Sequence, residues 1–260
     1  LRAEECAAEI YNRLVVSMSS ICLYFDLGIV PYDEALAIQR RLVELRRSNS
    51  CQDILLLLEH PPVLTIGRSG GEDQILVPRS ELERQGVPIV HTNRGGSITY
   101  HGPGQLVGYP ILDLENLHKD AHWYLRCLEM VLIDTLKKFG IEAVRIPGRT
   151  GVWVNGEKIA SIGVAIRHWI TMHGFALNIN PDLEHLRWIN PCGLSDAVMT
   201  SLARLCKSQG RELLPPEVVK RSVVRELVLQ FGTRFNREMV AAKWEEFRQR
   251  VLLDRDRDIQ

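Results

Sequence analysis

Three stretches of this 260-residue chain carry residue types that can do chemistry. The first is Arg94-Gly95-Gly96-Ser97-Ile98-Thr99-Tyr100-His101-Gly102-Pro103-Gly104-Gln105. Its glycines let backbone approach a ligand closely, and free N–H groups in such a loop can hold a carboxylate, a phosphate or a carbonyl. Arg94 adds charge and His101 a titratable donor. The spacing fits neither G-x-G-x-x-G nor G-x-x-x-x-G-K-S/T, which excludes a Rossmann or P-loop reading. The same composition also describes a sharp connection that only turns the chain, so both readings stand.

The second is Lys158, two residues beyond Asn155-Gly156, at the head of the small and apolar run Ile159 to Ala165. A lysine in such surroundings suits proton transfer, although a lysine at a strand edge with its ammonium in water fits the spacing equally well. The third is Cys192 within Asn190-Pro191-Cys192-Gly193. A thiol in a tight turn at a helix mouth is placed where backbone dipoles favour the thiolate. Free cysteine is only about 3% thiolate at neutral pH, so a nucleophilic role needs a cation beside it. The plain alternative is a small buried hydrophobe. His101, His173 and Cys192 do not have the spacing of a zinc site, and no metal is expected.

Those residues need a scaffold, and the patterning describes one. Pro31 to Arg47 carries Ala35, Ile38, Leu42 and Leu45 at helical spacing. Asp53 to Glu59 is an apolar run of strand length, which suits a strand covered on both faces. Val63 to Ile66 resumes extended structure after Pro61-Pro62, and Ser80 to Gly86 reads as a short helix. Strands follow at Pro88 to Val90 and, beyond the glycine-rich stretch, up to Leu112; Lys119 to Phe139 is the longest helix. Asn155-Gly156 between two apolar runs predicts a hairpin, because both residues tolerate positive φ. A strand at Ile170 to Ile179 and helices near Pro216–Leu229 and Asn236–Leu253 complete the pattern. Strands and helices without regular alternation predict an α+β fold, a mixed β-sheet flanked by helices.

The 32 basic and 32 acidic residues cancel, which gives no reason to expect nucleic acid or an anionic membrane as partner. The longest aliphatic run, Ile54 to Leu58, falls far short of the roughly 20 residues of a membrane span. Six scattered cysteines without a C-x-x-C pair predict reduced thiols in a cytosol-like compartment. Met18 directly precedes the first strand, Ile21 to Leu27, so residues 1–17 read as an N-terminal extension and 18–260 as one catalytic domain with a helical tail over 208–260.

Taken together, the glycine-rich block through Tyr109-Pro110, Gly151-Val152-Trp153, Lys158 to Gly163, His173 to Asn178 and Pro191 to Leu194 closely resembles the LipB-type lipoyl(octanoyl) transferases. The likeness spans roughly Ile21 to Lys207, in the family's order and spacing. It implies the fold of the biotin and lipoate protein ligase catalytic domains, and a monomer. It also implies transfer of an octanoyl or lipoyl group from octanoyl-acyl carrier protein to a lysine of lipoyl domains, as a first step of lipoate attachment. Those acceptors belong to 2-oxoacid dehydrogenases and the glycine-cleavage H protein. In a eukaryote the setting would be a mitochondrion or plastid. By the same resemblance Cys192 is the nucleophile and Lys158 its partner. Substrate-binding residues fall on Arg94 through His101 (Arg94, Gly95, Gly96, Ser97, Ile98, Thr99, Tyr100, His101), on Ser161, Ile162 and Gly163, and on Gly174, Phe175 and Ala176. Backbone N–H groups of the last two segments are expected to hold the thioester carbonyl. No cofactor is implied, because a thioester is already activated. An ATP-dependent ligase on the same fold and a non-catalytic module binding acyl carriers or lipoyl domains are the alternatives.

Overall fold

The computed structural model describes residues 20–190, 198–212 and 214–253. Cys192 therefore lies outside the described residues. In chain order the elements are β1 (Ile21–Ile29), α1 (Tyr32–Arg47), β2 (Asp53–Glu59), β3 (Val63–Ile66), a 3₁₀ turn (Glu72–Gln74), α2 (Arg79–Arg84), β4 (Ile89–His91) and β5 (Ile98–His101). They continue with β6 (Gln105–Ile111), α3 (Ala121–Lys138), β7 (Val144–Ile146), β8 (Arg149–Val154), β9 (Glu157–Arg167), β10 (Ile170–Asn178) and α4 (Leu183–Leu186). The last are α5 (Leu202–Ser208), α6 (Pro216–Phe235), β11 (Glu238–Ala241) and α7 (Trp244–Leu253).

Eight strands form one sheet in the order β11-β1-β2-β6-β10-β9-β8-β7, and β4-β3-β5 form a second, smaller one. β1 runs parallel to both β2 and β11, whereas β2-β6-β10-β9-β8-β7 are antiparallel. This is the mixed sheet flanked by helices that the patterning predicts. The apolar run in β2 works as a strand with two covered faces. Leu55 and Leu57 pack with α3 and α6 residues such as Leu128 and Phe231. Ile54, Leu56 and Leu58 pack with Leu36 and Leu42 of α1. At ~25 cal/mol per Å², two-sided burial of this kind outweighs the weak intrinsic preference of leucine for strands.

The expected hairpin is present: Asn155 and Gly156 take φ of 50° and 83°, and Val154 pairs with Glu157. α3 begins on Asp120, whose carboxylate accepts from the N–H groups of His122 and Trp123.

Two expectations change. Ile98–His101, read as part of a glycine-rich connection, forms strand β5 against β3, with Leu64 opposite Tyr100. The tail is not helical from residue 236. Asn236 takes φ 50° as the left-handed cap of α6, and Glu238–Ala241 then add a parallel edge strand to β1 before α7 begins. Among the described residues no helix is long and apolar enough to cross a membrane.

Candidate active site

Lys158 is not a solvated edge lysine: it is only 2% exposed. It is the second residue of β9, opposite Trp153 of β8, and its ammonium lies 5.3 Å from the centre of the Trp153 ring. An aromatic face attracts a desolvated cation by roughly 2 kcal/mol. Gly151 makes room for it. A Cβ there would stand 2.6 Å from Lys158 Cε, and φ of 123° disfavours any side chain. The Gly151 N–H donates at 3.3 Å to Glu129 on α3, whose other oxygen accepts from Arg126 at 2.6 Å. On its far side Lys158 meets residues 198–200. Its N–H donates to the Val198 carbonyl at 2.8 Å, and its carbonyl accepts from the Thr200 N–H at 2.9 Å.

Two adjoining narrow cavities of about 30 Å³ each lie between β9 and β10 on one side and the β5 segment on the other. One contains Lys158 together with Gly96, Ser97, Ile98, Tyr100, Leu186, Ile189 and Met199. The other contains His101, Gly163, Gly174, Phe175 and Ala176 together with Tyr32, Tyr109 and His173. Arg94, Thr99, Ser161 and Ile162 line both. The three predicted substrate segments and Lys158 thus line two adjoining cavities, which together make a narrow slot. Gly95 stands on its outer wall, where its N–H donates to the Val164 carbonyl at 2.8 Å. A Cβ on Gly163 would come within 2.8 Å of the Gly95 carbonyl, so the two backbones touch directly.

Arg94 is buried at 6% exposure, and its guanidinium donates to the Thr65 carbonyl and hydroxyl at 2.6 and 2.9 Å. That ties the glycine-rich segment to β3. His101 is buried, and burial first, then the neighbouring His60, hold its imidazole well below its usual pKa. Its neutral ring fits a chain of amide contacts. His101 Nδ1 meets Gln105 Oε1 at 2.7 Å, Gln105 donates to Asn178 at 2.9 Å, and Asn178 donates to the Thr200 carbonyl at 2.9 Å. The chain ends on the residue that pairs with Lys158.

The sequence pattern did not single out His60 or Tyr32 for the site, and Gln105, the last residue of the glycine-rich stretch, was not among the expected substrate-binding residues. His60 Nδ1 lies 2.7 Å from the Val30 carbonyl and Nε2 2.7 Å from the Tyr109 hydroxyl, while burial lowers its pKa to about 4. The neutral ring therefore donates to Val30 and accepts from Tyr109. His173, discarded as a metal ligand and otherwise noted only as the first residue of the block His173 to Asn178, adopts φ 57° inside β10. Its Nε2 lies 2.7 Å from Asn93 Oδ1, and burial lowers its pKa to about 4. Strained non-glycine backbone of this kind clusters at functional sites. Among the described residues no group of three His, Cys, Asp or Glu could hold a metal ion.

One expectation needs correcting. Phe175 and Ala176 pair with β9 on one edge and with β6 on the other. Their N–H groups are already engaged in the ladder, so these residues offer the slot a surface rather than donors.

The segment bearing Cys192 is anchored at both ends by described residues. Before it, Ile189 bridges Ile75, and the Asn190 N–H donates to the Gln74 carbonyl at 2.8 Å. Gln74 also contacts the Ser97 hydroxyl through its side chain. After it, Val198 and Thr200 bond the backbone of Lys158. Ile189 and Met199, one at each end, line the cavity that holds Lys158.

With this geometry in view, the similarities are specific. The lipoyl protein ligase A/B catalytic domain model matches residues 31–228. An octanoyltransferase of Caldicellulosiruptor saccharolyticus is 53% identical over 211 residues, covering 80% of this chain and 88% of its own. One from Gloeobacter violaceus is 48% identical over 198 residues, covering 76% and 86%. Among solved structures, lipoate-protein ligase A bound with ATP superposes with a TM-score of 0.65 at 17% identity, covering 91% of this chain and 95% of its own. A putative lipoate protein ligase from T. acidophilum with bound lipoic acid gives 0.66 at 16%, covering 90% and 95%. At such identities the structural likeness speaks for the fold, while the sequence relatives distinguish between activities. The chain belongs to the lipoyl protein ligase A/B catalytic domain family, within its octanoyltransferases.

Proposed function

We propose that this acyltransferase carries an octanoyl group on Cys192 as a thioester, taking it from an acyl carrier protein and passing it to a lysine of a lipoyl domain. The observation that carries the reading is the buried Lys158 ammonium, facing a slot whose walls are the three predicted substrate segments. Cys192 follows Asn190 by two positions, and both flanks of its segment are tied beside that slot.

The chemistry follows from thiol and amine reactivity. The Cys192 thiolate attacks the donor thioester carbonyl, forming a new C–S bond, and the carrier leaves as a thiolate that takes a proton. One thioester replaces another, so the step is nearly balanced. The neutral acceptor amine then attacks, a C–N bond forms, and the Cys192 sulfur leaves and is reprotonated. Lys158 is the cation that favours the thiolate and the group placed to move these protons. The apolar side chains of Ile98, Ile162, Leu186 and Ile189 would cover the alkyl chain, each buried CH₂ contributing ~0.8 kcal/mol.

Transfer to a lipoyl domain, measured with octanoyl-acyl carrier protein and no ATP, tests this reading. Product formed without ATP is expected, and Lys158→Met should slow it at least about 25-fold if only the thiolate fraction falls back toward its free value. A strict need for ATP with free octanoate would instead assign the chain the ligase chemistry of its structural neighbours.

A further inference from the structure

A second, wider cleft of about 550 Å³ lies against the outer side of the Lys158 slot. We propose that it receives the prosthetic arm of the donor carrier protein, with the arm's phosphodiester held between Arg68 and Arg149. This rests on the donor assigned above.

Proximity comes first. The cleft shares Gly96, Ser97 and Ile162 with the cavity of Lys158. The wall between them includes the touching backbones of Gly95 and Gly163, so cleft and slot lie one backbone thickness apart there. A thioester must reach the slot while its carrier, a folded protein, stays outside. The roomier groove of about 1000 Å³ between α6 and the β1–β11 edge cannot serve, since it borders strands at the opposite end of the sheet from β9.

Charge is the second argument. Arg68 and Arg149 line the cleft, and no described aspartate or glutamate does. Arg149 is held with its guanidinium 5.8 Å from the centre of the Trp153 ring. Arg68 is exposed and makes no ion pair with a described residue. The rest of the lining is small or apolar, including Leu125 on α3 and Val164 on β9. A neutral amide arm ending in a phosphodiester matches that distribution, and guanidinium groups bind phosphate oxygens in pairs.

The test uses the full chain with two donors, octanoyl-acyl carrier protein and the octanoyl thioester of N-acetylcysteamine, which lacks phosphate and protein. The unaltered chain should use both; failure with both would overturn the transferase reading itself, and this docking with it. Given transfer, Arg68→Glu should raise KM for the carrier donor about tenfold or more, the loss of one charge-assisted contact. KM for the small thioester should stay within about twofold, since that donor never reaches the rim. Thr150→Trp, which narrows the cleft from an exposed position on β8, should likewise raise KM more for the carrier donor than for the small thioester. Equal losses with both donors, no loss with either, or a rise in KM for the lipoyl-domain acceptor instead would overturn the proposal.

Discussion

Asn178→Leu removes the middle link of the amide chain that runs from His101 to the segment beside Lys158. Asn178 is 1% exposed, accepts from Gln105 at 2.9 Å and donates to the Thr200 carbonyl at 2.9 Å. Leucine keeps the branched outline but forms neither bond. The Thr200 carbonyl is then left without its side-chain donor, and the Gln105 Nε2 donor keeps only its long 3.4 Å contact to the Tyr100 carbonyl. A buried polar group stripped of its partner costs about 1–3 kcal/mol, so the two together predict a loss of roughly 2–6 kcal/mol. Gln105→Leu should cost a similar amount, because His101 loses its partner as well. The double variant removes both ends of one bond and should cost at least about 1 kcal/mol less than the sum of the singles. Urea unfolding at pH 7, with m-values compared between variants, measures all three. A single-variant loss below about 1 kcal/mol, or a double variant equal to the sum, would refute the idea of a connected network.

Three further outcomes follow from the same geometry. Gly163→Ala drives a Cβ to 2.8 Å from the Gly95 carbonyl, so the wall of the slot must move; kcat/KM for octanoyl transfer should fall at least about tenfold while secondary structure by circular dichroism stays intact. Asp53 accepts from Arg46 at 2.8 Å and from Arg237 at 2.9 Å in a buried position, and Asp53→Ala should lower unfolding free energy by about 3–5 kcal/mol in the same urea assay. His60 and His173 both have pKa values lowered to about 4, so the unfolded chain takes up protons on these residues from about pH 6.5 downward and the folded chain does not. Their contribution is complete above pH 6.5 and is lost as pH falls toward 4, at up to ~1.4 kcal/mol per pH unit for each. Urea midpoints between pH 7 and pH 5 should fall accordingly, and His60→Gln should flatten the slope; a slope unchanged by that variant would contradict the neutral buried ring.

The parts of the fold that were legible in the sequence are those whose stabilisation is local or periodic. The run Ile54 to Leu58 can be satisfied only by apolar cover on both faces, and Asn155-Gly156 sets a tight turn by its own backbone preferences. β11 was not legible in that way. Its four residues are mostly exposed and acquire strand geometry from pairing with β1, more than 200 positions earlier in the chain, and no local pattern encodes such pairing. The expected substrate segments could be named because the resemblance rests on contiguous blocks. His60 and Tyr109 could not be joined beforehand, since their hydrogen bond spans 49 positions and each taken alone reads as an ordinary core residue. The burial of Lys158 was equally hidden. It depends on Trp153, on the glycine at 151 and on residues 198–200 closing over the strand.

In the proposed reaction the acyl group rests on Cys192 between donor and acceptor. The most direct test is the intact mass of the purified chain after mixing with octanoyl-acyl carrier protein, without ATP and without acceptor. One added octanoyl group is expected, released by hydroxylamine, absent in Cys192→Ala and discharged when a lipoyl domain is supplied. An unmodified mass, or an octanoyl group that persists on the Cys192→Ala chain, would contradict the account.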